Sequence, residues 1–272
     1  MKCLVTKLEV SINDDFLPFV GEGVIDGTLF DWNVMPNGLR MSFQAREPFS
    51  VRVAGNGAYA VDSSDVHYTD KDVPKNKLQT ANLYNPNGGR VKLFVGNKNQ
   101  VNILFLNFDV DTEATFPISL FSQFPTIERI GIMTNNQQGG AIPVIGDLDN
   151  LSELSRLILV NFNVTSDRTK DSVYGDISVF SDKTNLEVLN FSRTRVSGSI
   201  ASLKTLKNLT YLDLSYTEVT GTVEEFCSGL NQNGRTSGTL DLRVMNSNIT
   251  YQGSALTSNK TVTFTASGYT VS

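Results

Sequence analysis

The sequence predicts an antiparallel all-β unit, a sandwich or a small barrel, over residues 1–112, followed by a repeat solenoid of about five units over residues 113–272. Three observations carry this. The first hundred residues hold many short alternating apolar runs broken by turn residues. The helical period is missing from that half. From Ile127 onward the apolar residues recur in a pattern that repeats itself.

The first-half elements follow in order. Residues 2–12 alternate, with Leu4, Thr6, Leu8, Val10 and Ile12 on one face and Lys7, Glu9 and Ser11 on the other, which is a half-buried strand. Further strands are expected at 28–34, 39–43, 49–54, 58–62, 90–95 and 101–107. The turn-rich breaks between them are Pro36-Asn37-Gly38, Gly55-Asn56-Gly57 and Asn85-Pro86-Asn87-Gly88-Gly89. Gly96-Asn97-Lys98-Asn99-Gln100 reads as a hairpin loop joining the last two strands. After Asp109-Val110-Asp111 the pattern changes, and 117–124 is a short helix candidate.

The repeat is clearest in two segments. Leu186, Leu189, Phe191, Thr194, Val196, Gly198 and Ile200 align with Leu209, Leu212, Leu214, Thr217, Val219, Gly221 and Val223 at an offset of 23 residues. Leu203 and Leu206 continue at three-residue steps to Leu209. An earlier unit is read on Leu154, Leu157, Leu159 and Val164, with its Gly175 and Ile177 delayed by an insertion. The first unit is read on Ile127, Ile130, Ile132 and Asn135, followed by Gly140 and Ile142. A degenerate fifth unit holds Leu240, Leu242 and Ile249, and 261–264 is expected to close the stack. One such unit cannot bury its own leucines, whereas stacked units share a continuous core.

On these residues the segment from about 117 to 272 resembles leucine-rich-repeat proteins. The L-x-x-L-x-L-x-x-[N/T]-x-V-x-G-x-I variant is similar to the plant-type subclass, which also occurs in Bacteroidales proteins. The resemblance implies a column of Asn side chains; here Thr194 and Thr217 stand in that column. The opening Met1–Asn13 resembles N-termini of Bacteroidales proteins and of structural proteins of tailed phages that infect them.

Composition narrows the function. The formal net charge is -5 with 19% charged residues. Lys and Arg do not cluster, so no nucleic-acid partner is expected. Lys7 and Glu9 interrupt the apolar N-terminus, so it is not read as a signal peptide, and synthesis in a cytoplasm is expected. No apolar run reaches the length of a membrane span. Cys3 and Cys227 are far apart and read as free thiols.

The search for chemistry yields no catalytic, cofactor or metal residues. His67, the single histidine, lies in a polar stretch with Ser64 and Asp65 but without a nucleophile elbow. Asp109, Asp111 and Glu113, or Asp147 and Asp149, lack the spacing of a calcium loop. Gly55-Asn56-Gly57 lacks the third glycine of a phosphate loop. The N-x-[S/T] sequons at Asn163, Asn190, Asn208, Asn248 and Asn259 are attributed to the repeat composition.

What remains is the outward row of a repeat stack: Glu128 and Arg129, Ser155 and Arg156, Glu187 and Val188, Thr210 and Tyr211, with Asn190 and Asp213 one position further. The expectation is a non-enzymatic structural or binding protein. The favoured setting is a phage virion, as a head or tail decoration or fibre protein. There the β unit would dock and the repeat face would contact protein or host-surface glycan, with homo-oligomers expected. The alternatives are a bacterial surface adhesion or recognition protein and an unrecognised glycan-acting enzyme.

Overall fold

The computed structural model describes residues 28–32, 39–55, 57–84, 86–87, 91–108, 116–134, 144–163 and 173–272. The strand expected at 2–12, Cys3, Asn135, Gly140, Ile142 and Val164 lie outside them.

The described chain is nearly all β, with a large sheet and few helices. Twelve strands form one sheet, whose spine is a parallel ladder. The ladder runs through Val101–Phe108, Arg129–Thr134, Leu159–Asn163, Val188–Asn190, Tyr211–Asp213 and Thr239–Arg243. Each strand is short because the repeat supplies only an L-x-L core. Inward residues stack in register, as in Leu104, Ile130, Val160, Leu189, Leu212 and Leu242. All six are fully buried.

The register shows the unit lengths. They are 30 residues from Ile130 to Val160, 29 from Val160 to Leu189, 23 from Leu189 to Leu212 and 30 from Leu212 to Leu242. The second unit is therefore framed on Leu157, Val160 and Phe162, all fully buried, while Leu159 is half-buried and faces out. Framing it on Leu154, Leu157 and Leu159 is corrected by three residues. The segment holds two overlapping L-x-x-L spacings, and burial selects the later one.

A second set of short strands lines the opposite side of the solenoid: Phe116–Pro117, Val144–Asp147, Val173–Asp176 and Arg195–Ser197. Gly146, Gly175, Gly198 and Gly221 recur here at positive φ. A Cβ on Gly175 would sit 2.5 Å from Asp147 Oδ1, and one on Gly198 2.3 Å from Asp176 Oδ1. The repeating glycine thus lets neighbouring units approach. In the first unit this glycine is Gly146.

Each of these glycines is followed by a helical turn, and Ile118–Gln123 opens the series without one. Ile118–Gln123, Leu148–Leu151, Ile177–Phe180 and Ile200–Leu203 are 3₁₀ turns, and Val223–Gln232 is an α-helix. The last four starts are capped from within the repeat. Asp147, Asp176, Ser199 and Thr222 accept from Asp149, Ser178, Ala201 and Glu225 amides respectively. The α-helix buries Phe226, Cys227 and Leu230. Burial pushes the Cys227 thiol up to about 12, which keeps it a packing group.

The ladder column is built of hydroxyls. Thr194 Oγ1 donates to Phe191 O at 2.6 Å, Thr217 Oγ1 to Leu214 O at 2.7 Å and Ser247 Oγ to Val244 O at 2.6 Å. Each oxygen also lies within 3.5 Å of the amide two residues on. Arg193, Tyr216 and Asn246 take positive φ at the matching turn position, so the hydroxyls hold a recurring tight corner. The double variant Thr194→Val, Thr217→Val is expected to lose ~2–4 kcal/mol, because two buried corners each lose their hydroxyl hydrogen bonds. Urea unfolding followed by circular dichroism checks it.

The stack is closed at its C-terminal end by antiparallel pairing. Lys260–Thr265 pairs with Thr239–Arg243, and Gly268–Val271 pairs with Lys260–Thr265. Arg235 seals the core beneath it. Its guanidinium donates to Leu209 O and Thr239 O and lies 4.4 Å from the Phe264 ring centroid.

At the other end the sheet continues through Leu39–Ala45, Gln79–Tyr84, Tyr59–Asp62 and His67–Tyr68, all antiparallel. A separate four-stranded antiparallel sheet holds Thr28–Trp32, Val91–Val95, Phe49–Gly55 and Asp70–Val73. The two sheets share a core in which the Phe43 and Phe49 rings meet edge-on at 6.5 Å. Val91–Val95 and Val101–Phe108 therefore belong to different sheets, and reading 96–100 as a hairpin loop is corrected. Both edges of 101–108 are taken by 39–45 and 129–134, and both edges of 91–95 by 28–32 and 49–55. Strand 101–108 also pairs parallel with 129–134, so one strand of the first half joins the repeat ladder.

Candidate functional site: the outward face of the long sheet

A parallel ladder with one buried face leaves the other for contacts. Two rows run across it. The first is Ile103, Arg129, Leu159, Val188, Tyr211 and Asp241. The second is Phe105, Gly131, Asn161, Asn190, Asp213 and Arg243.

Of the residues expected on this face, Arg129, Val188 and Tyr211 stand in the first row, and Asn190 and Asp213 in the second. Glu128, Glu187 and Thr210 lie one position before the first row, at the strand entries. Arg156 does not join them: it sits with Ser155 in the exposed turn before the strand, and Leu159 fills the place across from Arg129. The cause is the three-residue frame shift described above.

The middle of the face is apolar. Ile103, Phe105, Leu159 and Val188 are half-buried and point away from the core. The Phe105 ring lies over Gly131, where a Cβ would come within 2.5 Å of Cδ1. One ion pair flanks this patch and a second crosses it from Arg129, which stands between Ile103 and Leu159. Arg46 pairs with Glu128, which also accepts from Asn102 Nδ2 at 3.2 Å. Arg129 reaches Glu187 at 3.9 Å, spanning the intervening strand. Asn102 is the extra residue of a β-bulge, since Gln44 and Ala45 face Ile103 and Val101. The bulge brings Asn102 to Glu128.

The C-terminal end of the face is polar and tightly bonded. The Arg243 guanidinium grips Asp241 through Nε and Nη2, at 3.3 and 2.9 Å, and lies 4.9 Å from the Tyr211 ring centroid. Tyr211 Oη donates to Asp213 Oδ2 at 3.2 Å, and Asp213 Oδ1 accepts the Ser215 amide at 3.0 Å. Burial first, and then the Asp213 charge, push the Tyr211 phenol up to about 12, so it remains a neutral donor. Asn190 Nδ2 donates to Asn161 Oδ1 at 3.0 Å, and Asn190 Oδ1 accepts the Ser192 amide at 2.9 Å. Asn190 and Asp213 thus brace the strand exits.

Sequence reasoning missed Ile103, Phe105, Leu159, Asp241 and Arg243. In 103–106 both parities are apolar, so the outward pair is indistinguishable from the inward one by pattern alone. Asp241 and Arg243 alternate with Leu240 and Leu242, and that signal was available.

Asp147 and Asp149 are bound to each other through the cap. Among the described residues, no group of three His, Cys, Asp or Glu is placed to hold a metal ion. No helix among them is long and apolar enough to cross a membrane.

No family model and no curated protein matches the chain. Solved structures that it is similar to include the LRR ectodomain of the receptor kinase SOBIR1 from Arabidopsis thaliana. That match has 16% identity and a TM-score of 0.38, covering 54% of this chain and 73% of that one. A plant ice-binding protein has 19% identity and a TM-score of 0.38, covering 56% and 43%. An internalin (inlF) from Listeria monocytogenes has 15% identity and a TM-score of 0.34, covering 53% and 42%. The chain spans less than half the length of the last two. Stacked L-x-x-L-x-L strands, a hydroxyl column and capped 3₁₀ turns make the fold itself leucine-rich-repeat-like.

Proposed function

We propose that this chain is a non-catalytic binding protein whose outward sheet face holds a protein partner. The observation that carries the reading is the half-buried set of Ile103, Phe105, Leu159 and Val188, flanked by the Arg46–Glu128 pair and crossed by Arg129, which stands between Ile103 and Leu159 and reaches Glu187. An apolar centre inside a polar rim is the anatomy of a protein interface, where a few central side chains carry most of the affinity. Within this reading residues 1–112 are a sandwich-like docking domain and 113–272 the repeat domain.

The finer setting we propose is a phage particle, with the chain as a head or tail component, present in several copies. It rests on the resemblance of Met1–Asn13 to virion proteins. Mass spectrometry of purified particles tests it: the chain is expected there in stoichiometric amount, and presence only in cell lysate contradicts it.

For the face itself, Leu159→Asp is expected to weaken partner binding at least ~10-fold, about 1.4 kcal/mol. The thermal midpoint should move little, because Leu159 points outward. Titration against the partner recovered from those particles checks both.

A further inference from the structure

The same sheet face continues beyond the repeats to an edge of different chemistry. Tyr59 lies opposite Tyr84, and His67 lies opposite Val61 on the edge strand. The three rings stand in a row. Tyr59 and Tyr84 are near-parallel with centroids 5.4 Å apart, and Tyr59 and His67 with centroids 4.9 Å apart. These spacings exceed the ~3.5–4 Å contact of rings in full overlap, so the rings are offset like shingles and each leaves part of a face open. Tyr84 and His67 are exposed. Neither phenol nor the imidazole has a hydrogen-bond partner among the described residues.

Uncharged hydrogen-bonding groups lie beside the rings. Asn82, Thr80 and Ser42 share the face, and the Thr80 and Ser42 hydroxyls lie 3.2 Å apart. The exposed Arg40 stands opposite Asn82 on the same face. The strip is rigidly mounted. Asp62 Oδ1 accepts the Ser64 and Val66 amides at 2.8 and 3.1 Å, and Lys71 binds Oδ2. That closes the turn that delivers His67.

We propose that this strip is a binding site for neutral carbohydrate, distinct from the apolar patch at the centre of the face. The C–H face of a pyranose covers an open aromatic face. Its hydroxyls pair with phenol, imidazole, amide and hydroxyl groups at the ring edges. An aliphatic partner side chain would find beside these rings polar heads and the largely covered Val61, whereas the central patch offers Ile103, Leu159 and Val188. Shingled rings at the strand spacing of ~4.8 Å also suit a chain of sugars lying across the strands.

The test uses the intact chain. His67 is the sole histidine, so its imidazole C–H proton resonances report on the strip without ambiguity. Mannohexaose, cellohexaose and chitohexaose are titrated separately and followed by proton NMR. At least one is expected to shift the His67 signals saturably. Tyr59→Ala and the more exposed Tyr84→Ala are each expected to weaken that binding at least ~10-fold, with Tyr59→Phe within ~3-fold of the parent. Leu159→Asp leaves it unchanged, so failure here is separable from failure of the protein-binding reading. The absence of a shift with all three sugars overturns the proposal. So does an affinity equal to the parent's in both Ala variants.

Discussion

Phe191→Ala is expected to cost ~3–5 kcal/mol, the range for emptying a fully buried aromatic site. Phe191 joins neighbouring units. Its ring meets Phe162 edge-on at 5.5 Å and Phe180 at 5.4 Å, and Phe162 in turn stacks on Phe121 at 5.8 Å. All four rings are fully buried. In a solenoid each unit is held mainly by its two neighbours. A cavity at this position therefore loosens units on both sides. Domains of this size are stable by ~5–15 kcal/mol, so the loss is a large share of the total. Urea unfolding should show a clearly lower midpoint, with Phe191→Leu retaining most of the stability. A loss under about 1 kcal/mol would mean that the rings do not couple the units.

Gly198→Val is the second large effect, expected at ~2–4 kcal/mol. Two causes add. The residue has φ 95°, which costs a β-branched side chain ~1–3 kcal/mol. Its Cβ would also stand 2.3 Å from Asp176 Oδ1 and 2.7 Å from Cγ. That carboxylate accepts the Ser178 amide at 2.8 Å, so moving it removes a cap of ~1 kcal/mol. Gly253→Val separates the causes, because its φ is 75° and nothing lies within 4 Å of the added Cβ. Differential scanning calorimetry should show a smaller shift for Gly253→Val than for Gly198→Val. Equal shifts would remove the close approach between units from the explanation.

The repeat from Leu186 to Val223 was fully legible, because each apolar position there serves one structural role. Frame was lost where apolar residues serve two. Leu159 faces out yet is a leucine, and it displaced Val160 in the reading. The hydroxyl column was legible as Thr194 and Thr217, but Ser247 was hidden by the long fourth unit, whose α-helix replaces a 3₁₀ turn. In the first half most strands were legible, but their pairing was not. Adjacent strands 91–95 and 101–108 look like a hairpin locally, and only the competition for strand edges separates them. Strands 67–68, 70–73 and 79–84 were missed because Asp70-Lys71-Asp72 and Gln79-Thr80-Ala81-Asn82 carry little apolar pattern. The candidate face was half legible. Its charged and aromatic members follow from the repeat frame, while its apolar centre appears only once 101–108 is placed beside 129–134.

The proposed partner site is the outward face of the long sheet. Site-specific photo-crosslinking tests it most directly. A photoreactive phenylalanine analogue is placed at Phe105, at Leu159 or at Tyr174, which is exposed on the opposite ladder. After irradiation in the producing cell, positions 105 and 159 are expected to give a defined covalent adduct with a protein partner, and position 174 none. An adduct from position 174 alone, or from none of the three, would contradict the account.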